Sequence, residues 1–77
     1  MNTRRRFVLF DGRAADGNTE RAACFCFEDT MPEAVLSARG FGEACIFSFI
    51  EKPTGENERG EQTFDMEDLR LVKVIRA

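Results

Sequence analysis

The chain contains no histidine, tryptophan or tyrosine, and only two prolines among its 77 residues. Acid–base catalysis would need a histidine or a recognisable pair of carboxylates, and the sequence offers neither. We therefore predict that the protein is not an enzyme and uses no cofactor. Its aromatic side chains are eight phenylalanines. Because phenylalanine has no polar tip, we expect most of these rings to be buried.

Long hydrophobic runs are also missing, since none approaches the ~20 apolar residues that cross a bilayer. The basic start Arg4-Arg5-Arg6 precedes an apolar stretch of only four residues. That stretch is too short for a signal peptide, and no small-residue cleavage site follows it. We expect a cytoplasmic protein. Its three cysteines, an odd number without a secretion signal, are then expected to be reduced thiols.

Composition and charge indicate one small folded domain spanning residues 1–77. The chain is 43% hydrophobic and 32% charged, which is typical of a globular protein rather than a disordered one. The net charge of −3 is unevenly distributed. Residues 1–13 carry four arginines and one acid, whereas residues 51–68 carry seven acids and two basic residues. This uneven distribution of charge affects which molecules the protein can bind more than it affects the fold.

The segment 43–51 has apolar residues on both faces of a predicted strand. At a period of two, Phe47 and Phe49 lie on one face, and Ile46 and Ile50 lie on the other. A strand that is apolar on both faces needs strand neighbours on both edges and cover on both sides. The pattern therefore predicts a central strand.

Two further strands precede it. Residues 5–13 form the first, again apolar on both faces, and residues 20–28 form the second. An Asp-Gly pair at residues 16–17 predicts the turn between them. Phe25 and Phe27 are two residues apart in the second strand, so they are expected to point to the same face and into the main core.

A short helix is predicted over residues 31–39. Thr30 and Glu33 form a capping box, in which each side chain can bond to the other's backbone amide. Gly40 is the expected position of the helix C-cap. Beyond the central strand, the sequence predicts an acidic mobile loop over 53–62.

The C-terminal part of the chain is predicted to contain one helical turn and a last strand. The helical turn covers residues 65–69, and an edge strand covers residues 70–76. A right-handed crossover through the helix then gives a ββαββ chain. The predicted fold class is α+β, a four-stranded antiparallel sheet of order 2-1-3-4 with one short helix packed on one face.

The prediction divides this sheet into a helix side and a side without cover. The helix side holds four phenylalanines, Phe25, Phe27, Phe47 and Phe49. The other side holds Ala44, Ile46 and Ile50. An apolar face without cover would be a site for a partner or for homodimer formation.

Two groups of residues suggest chemistry, but a structural interpretation is favoured for both. Cys24, Cys26 and Cys45 could hold zinc through three thiolates. However, Cys24 and Cys26 would stand ~7 Å apart on a strand, which is awkward for one metal. Asp11-Gly12-Arg13 could form a catalytic corner, but the sequence offers no partner carboxylate or histidine, and a turn after the first strand explains it better.

The acidic segment supplies the candidate binding residues. Such a segment is usually just a solubilising loop, but its carboxylates could also imitate the phosphates of a nucleic acid and dock on a basic surface of another protein. The candidate partner-binding residues are Glu56, Glu58, Glu61, Asp65, Glu67 and Asp68. In size, acidity and lack of catalytic groups, the chain resembles small phage or mobile-element proteins that act by binding, including anti-CRISPR inhibitors. That resemblance implies an inhibitor or adaptor. The alternatives are a nucleic-acid-binding accessory protein using the N-terminal arginines and a cysteine-based zinc or redox protein.

Overall fold

The computed structural model describes residues 4–76, which form an α+β fold. The elements in chain order are β1 (Arg4–Phe10), a 3₁₀ helix (Gly12–Asp16), β2 (Cys24–Glu28), α1 (Met31–Phe41), β3 (Ala44–Glu56) and β4 (Gln62–Ile75). The strands form one sheet of order β2-β1-β3-β4, and every neighbouring pair is antiparallel. The predicted class and strand order are confirmed. In residues 4–76, no helix is long and apolar enough to cross a membrane.

The central position predicted for β3 is also confirmed. Its residues 44–49 are all buried, and it pairs with β1 on one edge and with β4 on the other. β1 is shorter than predicted, because Asp11 leaves the strand and begins the 3₁₀ helix. β2 is reduced to Cys24–Glu28, and the chain before it forms turns.

The helix begins as predicted and ends later. The Thr30 hydroxyl accepts a hydrogen bond from the Glu33 amide, which confirms the predicted N-cap; the Glu33 carboxylate accepts a hydrogen bond from the Thr30 hydroxyl rather than from the Thr30 amide that the capping box predicts. The prediction of a cap at Gly40 is wrong, because α1 continues to Phe41. The C-cap is Gly42, which has a φ of 87°, a conformation that glycine adopts without strain.

The region after residue 50 differs most from the prediction. β3 continues to Glu56 and β4 begins at Gln62, so the connecting loop covers only residues 57–61 rather than 53–62. The helical turn predicted over 65–69 is wrong, because these residues lie in β4. Pairing with β3 overrides the local capping signal there. The prediction that the loop is mobile remains a prediction.

The two faces of the sheet are covered differently from the prediction. On the helix side, the buried cluster is Leu9, Ala34, Ala38, Ala44 and Ile46. On the opposite side, it is Val8, Phe10, Ala14, Cys45, Phe47 and Phe49. The small helix residues lie against the small face of β3, and the 3₁₀ helix and β4 cover the face with the large rings.

Two predictions about the faces are therefore wrong. Phe47 and Phe49 lie on the side away from α1, and Ala44 and Ile46 are fully buried under α1. Ile50 lies beyond this buried cluster and is only partly exposed. The sheet therefore has no bare apolar face in its centre.

A bulge between β1 and β2 separates the two phenylalanines of β2. Leu9 pairs with Cys26 and Phe10 pairs with Cys24, so Phe25 is the extra residue. Phe25 packs on the helix side and stacks on Phe41, with 4.3 Å between ring centroids. Phe27 instead contacts the rings of the opposite face. The expectation that both rings share one face is wrong.

Candidate functional site

The N-terminal arginines are engaged in ion pairs. The guanidinium of Arg4 lies 2.9 Å from the carboxylate of Glu51. Arg5 donates a hydrogen bond of 3.0 Å to the hydroxyl of Ser48 and lies 3.8 Å from Asp68. The pKa of Arg4 is raised, chiefly by its hydrogen bond to Glu51. Arg4 and Arg5 belong to β1 and contact side chains of β3 and β4, so they do not form a separate arm.

Arg6 joins this ion-pair network to the aromatic core. Its guanidinium lies 2.8 Å from Asp29 and 3.6 Å from Glu51, and its side chain is only 17% exposed. Its Cζ atom stands 5.6 Å from the ring centroid of Phe27 and 6.0 Å from that of Phe64. Arg6 therefore connects the distal half of the β3–β4 hairpin to the opposite edge of the sheet.

The structure divides the six predicted partner-binding acids into two groups. Glu56, Glu58 and Glu61 lie at the end of the β3–β4 hairpin, which we call the hairpin tip (residues 56–61). Asp65, Glu67 and Asp68 lie along β4. All six are exposed.

The second group is partly neutralised within the chain. Glu67 lies 3.2 Å from Lys52, and Asp68 contacts both Arg5 and Arg70. Asp68 also has a φ of 53° at a bulge of β4, and aspartate tolerates this left-handed conformation better than most residues. The conformation at the bulge therefore suffices to explain why position 68 is an aspartate.

The tip carries acids that lack ion pairs in the described part of the chain. Between residues 4 and 76, the structure pairs none of Glu56, Glu58 or Glu61 with a basic side chain. Arg59 is the one basic residue among residues 56–61. The tip therefore presents three carboxylates and one guanidinium to solvent.

Asn57 holds the shape of this tip. Its side-chain oxygen accepts hydrogen bonds from the amides of Arg59, at 2.9 Å, and Glu61, at 3.1 Å. The backbone closes the turn with a bond of 2.9 Å from the Asn57 amide to the Glu61 carbonyl. Gly60 has a φ of 78°, which the turn requires. These bonds place the acids on a defined turn.

The three cysteines do not converge on one site. Cys24 and Cys45 pair with Phe10 from its two sides, so they are separated by two strand spacings, about 10 Å. Cys26 lies on the other face, because of the bulge at Phe25. No metal-binding cluster of three or more suitable side chains occurs in residues 4–76. Burial raises the pKa of all three thiols, which favours the protonated form over a metal-binding thiolate.

Asp11 has a structural role in the corner after β1. Its carboxylate accepts hydrogen bonds from the amides of Arg13, at 2.9 Å, and Ala23, at 3.1 Å. These bonds cap the 3₁₀ helix and connect it to the start of β2. They lower the pKa of Asp11, with the bond from Ala23 as the largest cause. The two serines are likewise engaged, Ser37 with Glu28 and Ser48 with Arg5.

Exposed apolar side chains on β4 were missed by the sequence analysis. Met66 is 40% exposed, Leu69 36% and Val72 46%. The prediction of a helical turn over residues 65–69 hides the strand pattern of Met66 and Leu69, whereas Val72 lies in the predicted edge strand. In comparisons with known proteins, no family model, no curated protein and no solved structure matches this chain. Function is therefore inferred from geometry and charge.

Proposed function

We propose that this protein is a non-enzymatic binding protein, an inhibitor or adaptor, that docks the acidic hairpin tip on a basic surface of another protein. The observation that carries the proposal is the distribution of ion pairs. The three N-terminal arginines are bound to Glu51, Asp29 and Asp68, whereas the acids of the tip have no such partner in residues 4–76. The tip therefore presents a local excess of negative charge that no ion pair within residues 4–76 neutralises.

The construction of the hairpin supports this role. Asn57 orders the turn, and Phe64 and Arg6 attach the hairpin to the core. A preordered tip loses little conformational entropy when it binds. Exposed charges of one sign also attract an oppositely charged partner over a distance, which speeds association at low salt. An inhibitor of the phage or mobile-element type is the particular form that the size and acidity favour.

The two alternatives have less support. Nucleic-acid binding through Arg4, Arg5 and Arg6 would require each side chain to leave a carboxylate. A zinc or redox function would require cysteines that lie on different faces of the sheet to act together.

The test compares two variants with the same loss of charge. Glu56→Gln with Glu58→Gln removes two acids from the tip, and Glu20→Gln with Glu43→Gln removes two exposed acids elsewhere. A partner is first captured from host or target cells with the wild-type protein, and its affinity for each purified variant is then measured at two salt concentrations. We expect the tip variant to associate roughly ten-fold more slowly at low salt, and the control to be nearly unchanged.

Equal affinities of the two variants would contradict the proposal, as would binding that does not respond to salt. Capture of DNA or RNA in place of a protein would favour the N-terminal arginines. In that case, substitution of Arg5, and not of the tip acids, should weaken binding. Both variants should keep the wild-type far-UV circular dichroism, since the substituted side chains are exposed.

A further inference from the structure

β4 is a long edge strand whose outer edge is unpaired in the described chain. It spans 14 residues and pairs only with β3. Three of its apolar side chains, Met66, Leu69 and Val72, are exposed. Unpaired edges of this length invite association with another strand, so proteins often protect them with charges and bulges. β4 has both, and their positions indicate one particular partner.

Four of the five charged residues of β4 form an ordered series on the helix side of the sheet. Asp65, Glu67, Arg70 and Lys73 pair respectively with Lys52, Ile50, Ser48 and Ile46 of β3. Ile46 is buried under the helix, and alternate residues of a strand share a face. These four of the five charged residues of β4 therefore lie on this face, in the order acid, acid, base, base; the fifth, Asp68, lies in a bulge and is paired with Arg5 and Arg70.

Two bulges in β4 keep these four charged residues on the same face of the sheet. Arg70 and Glu67 are three residues apart, but their partners in β3 are two apart, so one extra residue lies between them at Asp68–Leu69. A second extra residue, Val72, lies between Leu71 and Lys73. Without the bulges, Asp65 and Arg70 would lie on opposite faces.

We propose that β4 associates with β4 of a second copy of this chain, antiparallel and about a two-fold axis at the Asp68–Leu69 bulge. This axis places Asp65 opposite Lys73 of the second copy and Glu67 opposite Arg70 of the second copy, and each pair occurs twice. On the other face, Met66 lies opposite the Leu71–Val72 bulge. Leu69 and Asp68 both come close to their own copies at the axis, and each Asp68 is neutralised by Arg5 and Arg70 of its own chain. An isologous contact of this kind is the usual geometry of a dimer.

Other registers do not give this complementarity. A shift by one residue pair in either direction places Glu67 opposite Glu67 or Arg70 opposite Arg70, and like charges opposite each other are destabilising. A second copy brings the same bulge to the axis, so the two strands contribute identical residues on either side of it. The hairpin tips would lie at opposite ends of the dimer, so the contact does not depend on the function proposed for them.

A charge swap tests the register directly. Asp65→Lys and Lys73→Asp each place like charges opposite each other at two symmetric positions, and the double variant restores opposite charges. Neither residue has an ion pair within residues 4–76. By sedimentation equilibrium, we expect the wild-type protein to dimerise. We expect each single variant to dimerise about ten-fold more weakly or worse, and the double variant to recover most of the affinity.

The controls separate this contact from general charge effects and from misfolding. Glu58→Lys and Arg59→Asp make the same charge changes at the tip and should leave dimerisation unchanged. Leu69→Asp should abolish it while far-UV circular dichroism keeps the wild-type shape; thermal stability should fall somewhat, because Leu69 is only 36% exposed. A wild-type protein that is monomeric up to about 1 mM, or a double variant as weak as the single variants, would overturn the proposal.

Discussion

Phe64 is predicted to anchor the distal half of the β3–β4 hairpin to the core, and its removal should destabilise the whole domain. Its ring stacks on Phe49, with 6.0 Å between centroids and 7° between planes, and meets Phe27 edge-to-face at 5.6 Å. Phe49 is fully buried, and Phe64 is partly buried. The hairpin therefore contributes to the core as well as carrying the tip.

The magnitude follows from these contacts. Truncating a fully buried phenylalanine to alanine costs about 3–5 kcal/mol, so the half-buried Phe64→Ala should cost about 1.5–2.5 kcal/mol. A domain of this length has a free energy of unfolding of roughly 4–12 kcal/mol. Phe49→Ala would therefore remove a large part of the stability. Phe49→Leu, which keeps most of the volume, is the better partner for a double-mutant cycle. The stacked pair should show a coupling of about 0.5–1.5 kcal/mol in that cycle.

Urea denaturation followed by far-UV circular dichroism measures both quantities. With a slope near 1 kcal/mol per molar urea, Phe64→Ala should lower the midpoint by about 1.5–2.5 M. Leu36→Ala is the control, because this helix side chain is 69% exposed and should change stability by at most about 0.5 kcal/mol. Hydrogen exchange at the amides of Arg59 and Glu61 should also become faster in Phe64→Ala. A Phe64→Ala midpoint as close to wild type as that of the control would refute the proposed anchoring.

Two further predictions follow from the helix end and from the corner after β1. Gly40→Ala should stabilise the protein by up to about 1 kcal/mol in thermal melts, because Gly40 lies inside the helix with open space around it. Gly42→Ala should destabilise it by about 1 kcal/mol or more, because Gly42 has a positive φ; the opposite ranking would move the cap back to Gly40. The pKa of Asp11 is lowered in the folded state, so its contribution to stability is present above the unfolded pKa of about 3.9 and is lost as the pH falls through the folded value. Asp11→Asn should therefore flatten the acid side of the stability profile, and an unchanged profile from urea midpoints at neutral and acidic pH would contradict this.

The helix start and the strand order were predictable because they depend on local signals and on general rules of connection. Thr30 and Glu33 are three residues apart, so the N-cap bond from the Glu33 amide to the Thr30 hydroxyl can be predicted from the sequence alone. The order 2-1-3-4 follows from two strands that are apolar on both faces and a crossover of fixed hand.

The sequence predicted which acidic residues the candidate site contains, but not which of them are paired with basic side chains. The run of acids between Glu51 and Asp68 is visible in the sequence, but their partners are not. Arg5 meets Asp68 across 63 residues of chain, and Arg4 meets Glu51 across 47. Contacts at such separations depend on the register of the strands, which a pattern of charges along the chain does not contain.

Local patterns along the chain were enough to predict the buried strands, the start of the helix and the location of the negative charge, because burial patterns and caps act over a few neighbouring residues. Which face of β3 lies under the helix depends instead on packing between distant segments. With both faces apolar, alternation alone cannot distinguish them, and the small residues of α1 fit the side of Ala44 rather than that of Phe47. Strand pairing also determines which face of the sheet each residue of β2 and β4 occupies. A bulge inserts one extra residue, so every side chain beyond it points to the face opposite the one that simple alternation predicts. For this reason Cys24 and Cys26 lie on different faces, whereas Glu67 and Arg70 lie on the same face.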